Sequence, residues 1–398
     1  MDDKSLPRSL WSFEFIALML IIVAAFGNVS AFYSFYHYLG VIDIPVAWRG
    51  FLLGLEPMTA FILRLFVLPW LHMKNAMAVT TLSLILLIVT SWAYLWVTTV
   101  AAMIVLRIVH GAVFVLLTSS VIALIVNFIP KEKSGQGFAA LTIATMIPYA
   151  LIPPLSESLL PYVNSEATIY AGVSSFSMIA IVFLIALRRR IGGVLAGMEG
   201  ALMRRPSFSE IRENFRIHAV VTLLGAFFLI YLAHATFFYF MKDLSLQTGM
   251  GNVGLFFTIS MAAMIAMRVF GVMLFDRIKK LPLLKTGLAL LVPCIIMLPN
   301  VGSSLSYYLL AGLYGLCLGV ILPLLNALLF LASPPPLRGL NTNMTLFMMD
   351  AGYFLTPFAG GAVIAWGAEF GTLFYIAAGF TLLSLALVAT MSNIEHNH

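Results

Sequence analysis

Apolar residues along this 398-residue chain run in long stretches, and polar ones gather in short segments between them. Crossing a bilayer as a helix takes about 20 apolar residues. Read against Pro, Gly and charge breaks, the pattern predicts twelve such stretches. They fall at roughly 13–38, 46–70, 76–96, 98–128, 136–160, 167–187, 217–241, 252–275, 282–299, 304–332, 340–366 and 370–391, numbered here as spans 1 to 12. None shows the alternation of a barrel strand, and an open sheet edge cannot face lipid, so each is read as a helix. The first run is too long for a signal-peptide core and has no clear small-residue cleavage site, so it is expected to be retained. The predicted fold class is an all-α polytopic membrane protein.

Composition narrows the function. Hydrophobic residues make up 62% of the chain and charged residues 10%, against about 45–50% and about 25% in soluble domains. A soluble enzyme, a nucleic-acid binder and a disordered chain are excluded on that ground. The net charge of +6 needs no acidic partner, because the basic residues sort by side. Lys131 and Lys133, Arg188 to Arg190, Arg204 and Arg205, and Lys279 and Lys280 fall on the side of both termini, whereas the opposite loops hold Arg49 and Lys242. The positive-inside rule then predicts cytoplasmic termini and a place in the cell's inner membrane. Cys294 and Cys317 both lie in apolar runs, which gives neither a disulfide framework nor a zinc spacing. There is no Gly-x-x-x-x-Gly-Lys-Ser/Thr loop, no His-Glu-x-x-His and no Gly-x-Ser-x-Gly elbow. The chain is therefore expected to be no enzyme, to need no cofactor and not to power itself with ATP.

A single offset of 204 residues relates the two halves. Arg64-Leu-Phe aligns with Arg268-Val-Phe, Gly111 with Gly315, Pro130 with Pro334, Gly135 with Gly339, and Pro153 with Pro357. The polar stretch 188–216 separates the copies. The expected organisation is a six-helix bundle over 1–187, a basic linker over 188–216 and a second bundle over 217–398. Each copy holds an even number of spans, so the two are parallel. Parallel repeats about an axis along the membrane normal are one transporter architecture, with the substrate site near the midplane.

Several local patterns strengthen this. Arg268-Val-Phe-Gly271-Val-Met-Leu-Phe-Asp276-Arg277 follows span 8, and Arg107-Ile-Val-His-Gly111 lies in span 4. Together with the six-plus-six plan and the basic linker, they make the chain resemble the major facilitator superfamily over essentially its whole length. Gly319-Val-Ile-Leu-Pro323, Arg338-Gly339, and Asp350-Ala-Gly352 with Pro357 look most like its bacterial efflux members, including the sugar- and siderophore-exporter-like branches. The resemblance implies a conformational latch of Arg64, Arg268, Gly271, Asp276 and Arg277 at the cytoplasmic ends. The first-half copy of that latch departs from the pattern, with Val67 and His72 where glycine and aspartate are expected. It also implies a proton-coupling role for Arg107. Span 5 carries Pro153-Pro154 instead of the exporter-type Gly-Pro, so export and uptake both stay open.

Ionisable residues inside spans carry a penalty and usually face a partner or a water-filled path. Glu56 and Arg107 enter spans 2 and 4 from the same side and reach about 13–15 Å in, at 1.5 Å per residue. A hydrogen-bonded pair is the least costly arrangement, with burial and the arginine pulling oppositely on the carboxyl. It reads either as a proton-coupling pair or as a static ion pair that fixes packing. Asp350 has Met146 as its repeat counterpart and shares span 11 with Asn341, Asn343, Thr345 and Tyr353. Proton coupling, substrate contact and a satisfied interhelical bond all fit it. Arg64 and Arg268 read as snorkelling or latch residues.

A substrate surface is expected from Asn28, Tyr33, Tyr149, Tyr231, His234 and Asn326, while Tyr36 and His37 suit an interfacial aromatic belt. His110 reads as a structural residue. Methionine spacings such as Met261, Met264 and Met267 would suit a soft metal ion, although Met is also a common gap-filler. The function expected is proton-coupled export of a small organic compound by alternating access. The alternatives are uptake of an organic anion, transport of a transition metal or metal complex, and a non-transporting sensor. Expected partners are a small-molecule substrate, protons and the lipid bilayer, without nucleic acid, and a monomer suffices.

Overall fold

The computed structural model describes residues 9–67, 73–130, 133–196, 208–271, 278–334 and 337–391. Twelve helices among them are long and apolar enough to cross a membrane. Span 1 comprises Phe13–Ser30, a 3-10 turn at Ala31–Ser34 and Phe35–Val41. Spans 2 to 6 are Val46–Val67, Met73–Ala93, Val100–Val126, Ser134–Leu159 and Glu166–Ala196. A short linker helix, Phe208–Asn214, precedes spans 7 to 12. These are His218–Thr248, Val253–Phe270, Lys280–Met297, Ser304–Ala332, Arg338–Ala365 and Phe370–Ala389. Among the described residues there is no strand. The protein is an all-α polytopic membrane protein.

Helix ends follow local chemistry. Ser12, Thr99, Asn252 and Ser303 each accept from the backbone N–H three residues on, which satisfies a donor that a helix start leaves orphaned. Span 7 closes on Gly249 at φ 64°, a left-handed conformation that glycine adopts without a Cβ penalty. Prolines sit inside spans 2, 5, 9, 10 and 11. In lipid this is tolerated where neighbouring groups satisfy the freed carbonyls.

The repeat is visible in the helices themselves. Spans 4, 5 and 6 begin at residues 100, 134 and 166, and spans 10, 11 and 12 begin at 304, 338 and 370. The capping residues Thr99 and Ser303 keep the same offset. Span 1 packs on spans 4, 5 and 6, and span 3 on spans 4 and 6. Span 7 packs on spans 10, 11 and 12, and span 9 on spans 10 and 12, so one pairing pattern occurs twice.

Two compact units divide the chain. The first unit comprises Met1–Phe32 and Thr59–Arg205. Its core joins Phe15, Leu18, Ile21 and Ile22 of span 1 to Leu84 and Leu87 of span 3, Leu117, Val121 and Leu124 of span 4, and Leu184 and Leu187 of span 6. Large apolar side chains such as Leu82, Val89, Phe176 and Val182 point outward, as lipid-facing positions do. Near the start of the chain, Arg190 lies over the Phe13 ring and 3.5 Å from Glu14.

The second unit comprises Tyr33–Met58 and Pro206–His398. The ends of spans 1 and 2 farthest from the termini thus pack with spans 7 to 12. The boundaries fall within the 3-10 turn of span 1 and just after Pro57 of span 2. Gly50 and Gly54, four residues apart on span 2, meet span 11 almost backbone to backbone. A Cβ on Gly50 would stand 2.5 Å from the Gly361 Cα and the Pro357 carbonyl, and one on Gly54 would stand 2.6 Å from the Phe358 ring. Tyr36 closes the same end against Phe240 and Phe370, at 5.2 and 5.7 Å between ring centroids. Arg49 lies over the Tyr36 ring and donates to the Ile44 carbonyl at 2.8 Å. At the opposite end, Asn214 of the linker helix and Asn341 of span 11 exchange hydrogen bonds of 2.6 and 3.0 Å, and Asn341 also donates to Ser333.

Candidate substrate site

In the second unit, span 7 carries Tyr231 and His234 one turn apart, and both are partly exposed. His234 Nδ1 and the Tyr314 hydroxyl of span 10 are 2.6 Å apart. Tyr314 stacks on Phe237 with ring centroids 4.0 Å apart and planes 18° apart. Tyr353 of span 11 sets its ring edge-on to His234, Phe238 and Tyr239. Tyr231 stacks on Phe227. Offset and edge-to-face pairs of this kind hold rings in fixed orientations.

Span 11 comes close to this wall because it carries glycine there. A Cβ on Gly352 would stand 2.8 Å from the carbonyl carbon and the Cβ of Tyr231. One turn on, Thr356 donates to the Leu232 carbonyl at 3.0 Å. Asp350, two residues before Gly352, and Arg268 of span 8 both lie within electrostatic range of Tyr231. Arg268 Nε is buried and has no hydrogen-bond partner among the described residues. The site therefore combines aromatic faces, an imidazole, a carboxyl group and a guanidinium.

The residues expected from sequence fare differently. Tyr231, His234, Asp350 and Arg268 come together, the last within reach of the site as well as near the end of span 8. Gly271 caps span 8, its N–H bonding the Met267 carbonyl, while Asp276, Arg277 and His72 lie outside the described residues. Tyr33 falls in the 3-10 turn of span 1, edge-on to Phe257 in the second unit. Asn326 is exposed and turns its amide back to the Leu322 carbonyl of its own helix. Glu56 is a buried residue of the second unit.

Other candidates belong to the first unit. Asn28 is buried and committed there: its amide nitrogen donates to the Ala24 carbonyl and to Ser177, and its oxygen accepts from Ser91. Those bonds tie spans 1, 3 and 6 together and use the capacity that made Asn28 attractive as a ligand group. Tyr149 is partly exposed and Arg64 buried. Arg107 is 1% exposed, donates to the Tyr94 hydroxyl at 3.4 Å and lies over the Phe32 ring. Tyr94 in turn bonds His110 Nδ1 at 3.1 Å.

Tyr314 escaped the sequence reading, since a tyrosine in an apolar helix looks like packing. The repeat held the signal. Tyr314 and His110 share the 204-residue offset, immediately before Gly315 and Gly111, and each is half of a histidine–tyrosine hydrogen bond.

Two membrane-embedded six-helix copies, with a partly exposed polar and aromatic wall in one of them, define the class as a polytopic transporter. The sequence matches the Major Facilitator Superfamily over residues 15–348 and again over 223–396, and the chain belongs to that family. It is a transporter and not an enzyme. No curated protein matches the sequence. Among solved structures, the crystal structure of the nucleoside transporter NupG is similar at 14% identity and a TM-score of 0.66, covering 95% of this chain and 100% of that one. A mutant of the same transporter is similar at 14% identity, a TM-score of 0.69 and the same coverage. At that identity the likeness speaks for the fold.

Proposed function

We propose that this transporter is secondary active and proton-coupled, and that it exports a small organic solute carrying a planar ring and polar substituents. The carrying observation is the wall of Tyr231, His234, Tyr314 and Tyr353, with Arg268 and Asp350 in range. Aromatic faces suit a planar ring, and the imidazole and charged groups suit its polar edge. Nucleosides, which the fold neighbour's name associates with that protein, fit this description and are the first probes to use. Asp350 at this wall, and Glu56 and Arg107 in the other buried polar sites, are the groups we assign to proton coupling. Buried ionisable groups within spans mark proton and substrate pathways. The sorting of basic residues supports cytoplasmic termini in the inner membrane, and a monomer encloses its own pathway.

Uptake of an organic anion is the second reading. The buried, unpartnered Arg268 Nε beside Tyr231 supports it, as does the absence of the exporter-type Gly-Pro in span 5. Purified protein in liposomes with an imposed pH gradient and radiolabelled uridine or adenosine separates the two. Solute moving against the proton flow is the expected result; movement with the flow overturns export, and the same movement of a radiolabelled carboxylate establishes the second reading. Flux indifferent to the gradient overturns proton coupling altogether.

A further inference from the structure

We infer that Tyr314 is a positioning residue which holds His234 in its Nε2–H tautomer, so that the site offers the solute a fixed N–H donor. The link to a solute rests on the transport reading above. The tautomer rests on hydrogen-bond accounting alone.

In a neutral imidazole one nitrogen carries the hydrogen and the other accepts. His234 Nδ1 lies 2.6 Å from the Tyr314 hydroxyl, so one of the two groups donates to the other. Suppose His234 donates. The tyrosine hydrogen must then find another acceptor, and Tyr314 is 2% exposed. Among the described residues its hydroxyl has no second partner, and its ring stacks on Phe237 and lies tilted against Phe256. Cys294, the nearby ionisable group, directs its sulfur to the Leu310 carbonyl. A buried hydroxyl hydrogen left without an acceptor is strongly disfavoured. The opposite assignment leaves no buried atom of the pair unsatisfied: Tyr314 donates, Nδ1 accepts and the hydrogen sits on Nε2, which is not among the buried unsatisfied atoms.

Nε2 is therefore the working atom. It has no hydrogen-bond partner among the described residues, and it is absent from their buried, unsatisfied atoms. The ring is partly exposed, with the edge of Tyr353 6.2 Å away between centroids. A fixed N–H donor beside an aromatic wall selects solutes with a hydrogen-bond acceptor on or next to their planar ring, such as a carbonyl oxygen or an unprotonated ring nitrogen. Solutes offering only donors are rejected, because they leave the Nε2–H unmet.

Nitrogen NMR of the full-length protein in lipid nanodiscs, labelled on its histidine rings, tests the tautomer directly. His234→Gln assigns the resonance by its disappearance. The expected wild-type spectrum has a hydrogen-bearing Nε2 and a bare, hydrogen-bonded Nδ1, and Tyr314→Phe mixes the two tautomers. A hydrogen on Nδ1, a doubly protonated ring in the wild type at neutral pH, or an unchanged tautomer in Tyr314→Phe overturns the inference. The wild-type spectrum decides even if the variant folds poorly. With uridine as the transported probe, Tyr314→Phe raises KM about twofold, since about half of the rings then present the wrong nitrogen, with little change in kcat. On a His234→Gln background, where an amide supplies the donor without a tautomer, Tyr314→Phe has no further effect on KM. A full KM effect on that background also overturns the inference. The NMR result needs no solute, so it stands or falls separately from the transport reading.

Discussion

A histidine bonds a tyrosine in each half of the chain, with opposite surroundings. In the first unit His110 is 1% exposed, and its Nε2 is buried without a partner among the described residues. The bonded Tyr94 also receives Arg107, and Phe32 lies edge-on to the imidazole while stacking on Tyr170 at 4.2 Å. That pair is sealed. In the second unit the tyrosine is the buried partner, and the histidine keeps part of its ring exposed beside Tyr353. The repeat-related position on the fourth helix of each half supplies the histidine in one case and the tyrosine in the other. Only that position is shared: Tyr94 and His234 are not related by the 204-residue offset, so the two bonds join different pairs of helices.

The comparison is open to experiment, and the largest expected effect is at His234. His234→Leu removes a donor to the solute and lowers uridine kcat/KM by about 10- to 100-fold, as loss of a bond worth roughly 1.5–3 kcal/mol would. His234→Leu also leaves the buried Tyr314 hydroxyl without its acceptor, so the unfolding midpoint falls too, and His234→Gln, whose amide oxygen can accept, separates the two effects. A stable variant with normal flux would show that the exposed pair is no more functional than the sealed one. Gly352→Ala comes next, since its methyl must displace Tyr231 or part spans 7 and 11. We expect a loss of about 1–3 kcal/mol in stability and reduced flux, read by thermal unfolding and liposome transport. Tyr231→Ala should not rescue it, because the methyl meets the carbonyl carbon and Cβ of residue 231 and the Leu232 nitrogen, all of which alanine keeps.

Tyr94→Phe should act on stability and spare KM. It removes interhelical bonds worth about 0.6–1.7 kcal/mol in membrane proteins, visible as a lower unfolding midpoint with an unchanged uridine KM. An altered KM would give the sealed pair a part in recognition. The smallest effect belongs to His110→Leu, which replaces an imidazole with one unsatisfied nitrogen by an apolar side chain. Its stability change should stay within about 1 kcal/mol, because removing an unmet buried polar atom offsets the lost bond. A large destabilisation would mean that the sealed histidine carries more than packing.

Hydropathy and the 204-residue offset made the architecture legible, since lipid imposes helices of a minimum apolar length and each half repeats its caps and turns. The break in span 1 was not legible. Ala31-Phe-Tyr-Ser34 contains neither proline nor glycine, so no breaker residue announces its 3-10 geometry. Within the site, Tyr231, His234 and Asp350 stood out because polar groups within apolar spans are conspicuous. Asn28 stood out for the same reason, yet its partners Ser91 and Ser177 lie on two other spans that no local pattern ties to it. Arg268 read as a latch residue from its neighbours in sequence. Its proximity to Tyr231 depends on how spans 7 and 8 lie against each other.

The contact of Gly50 with Gly361 is a join made of main chain. A seam of long side chains has to freeze rotamers each time it forms, at about 1–2 kcal/mol for each of the longest. Glycines have none to freeze. Forming or parting this join therefore involves almost no side-chain entropy, and it contributes little bias towards either state. Whatever favours one state over the other must act at other places in the chain, and a single added methyl at residue 50 or 361 is enough to wedge the seam apart.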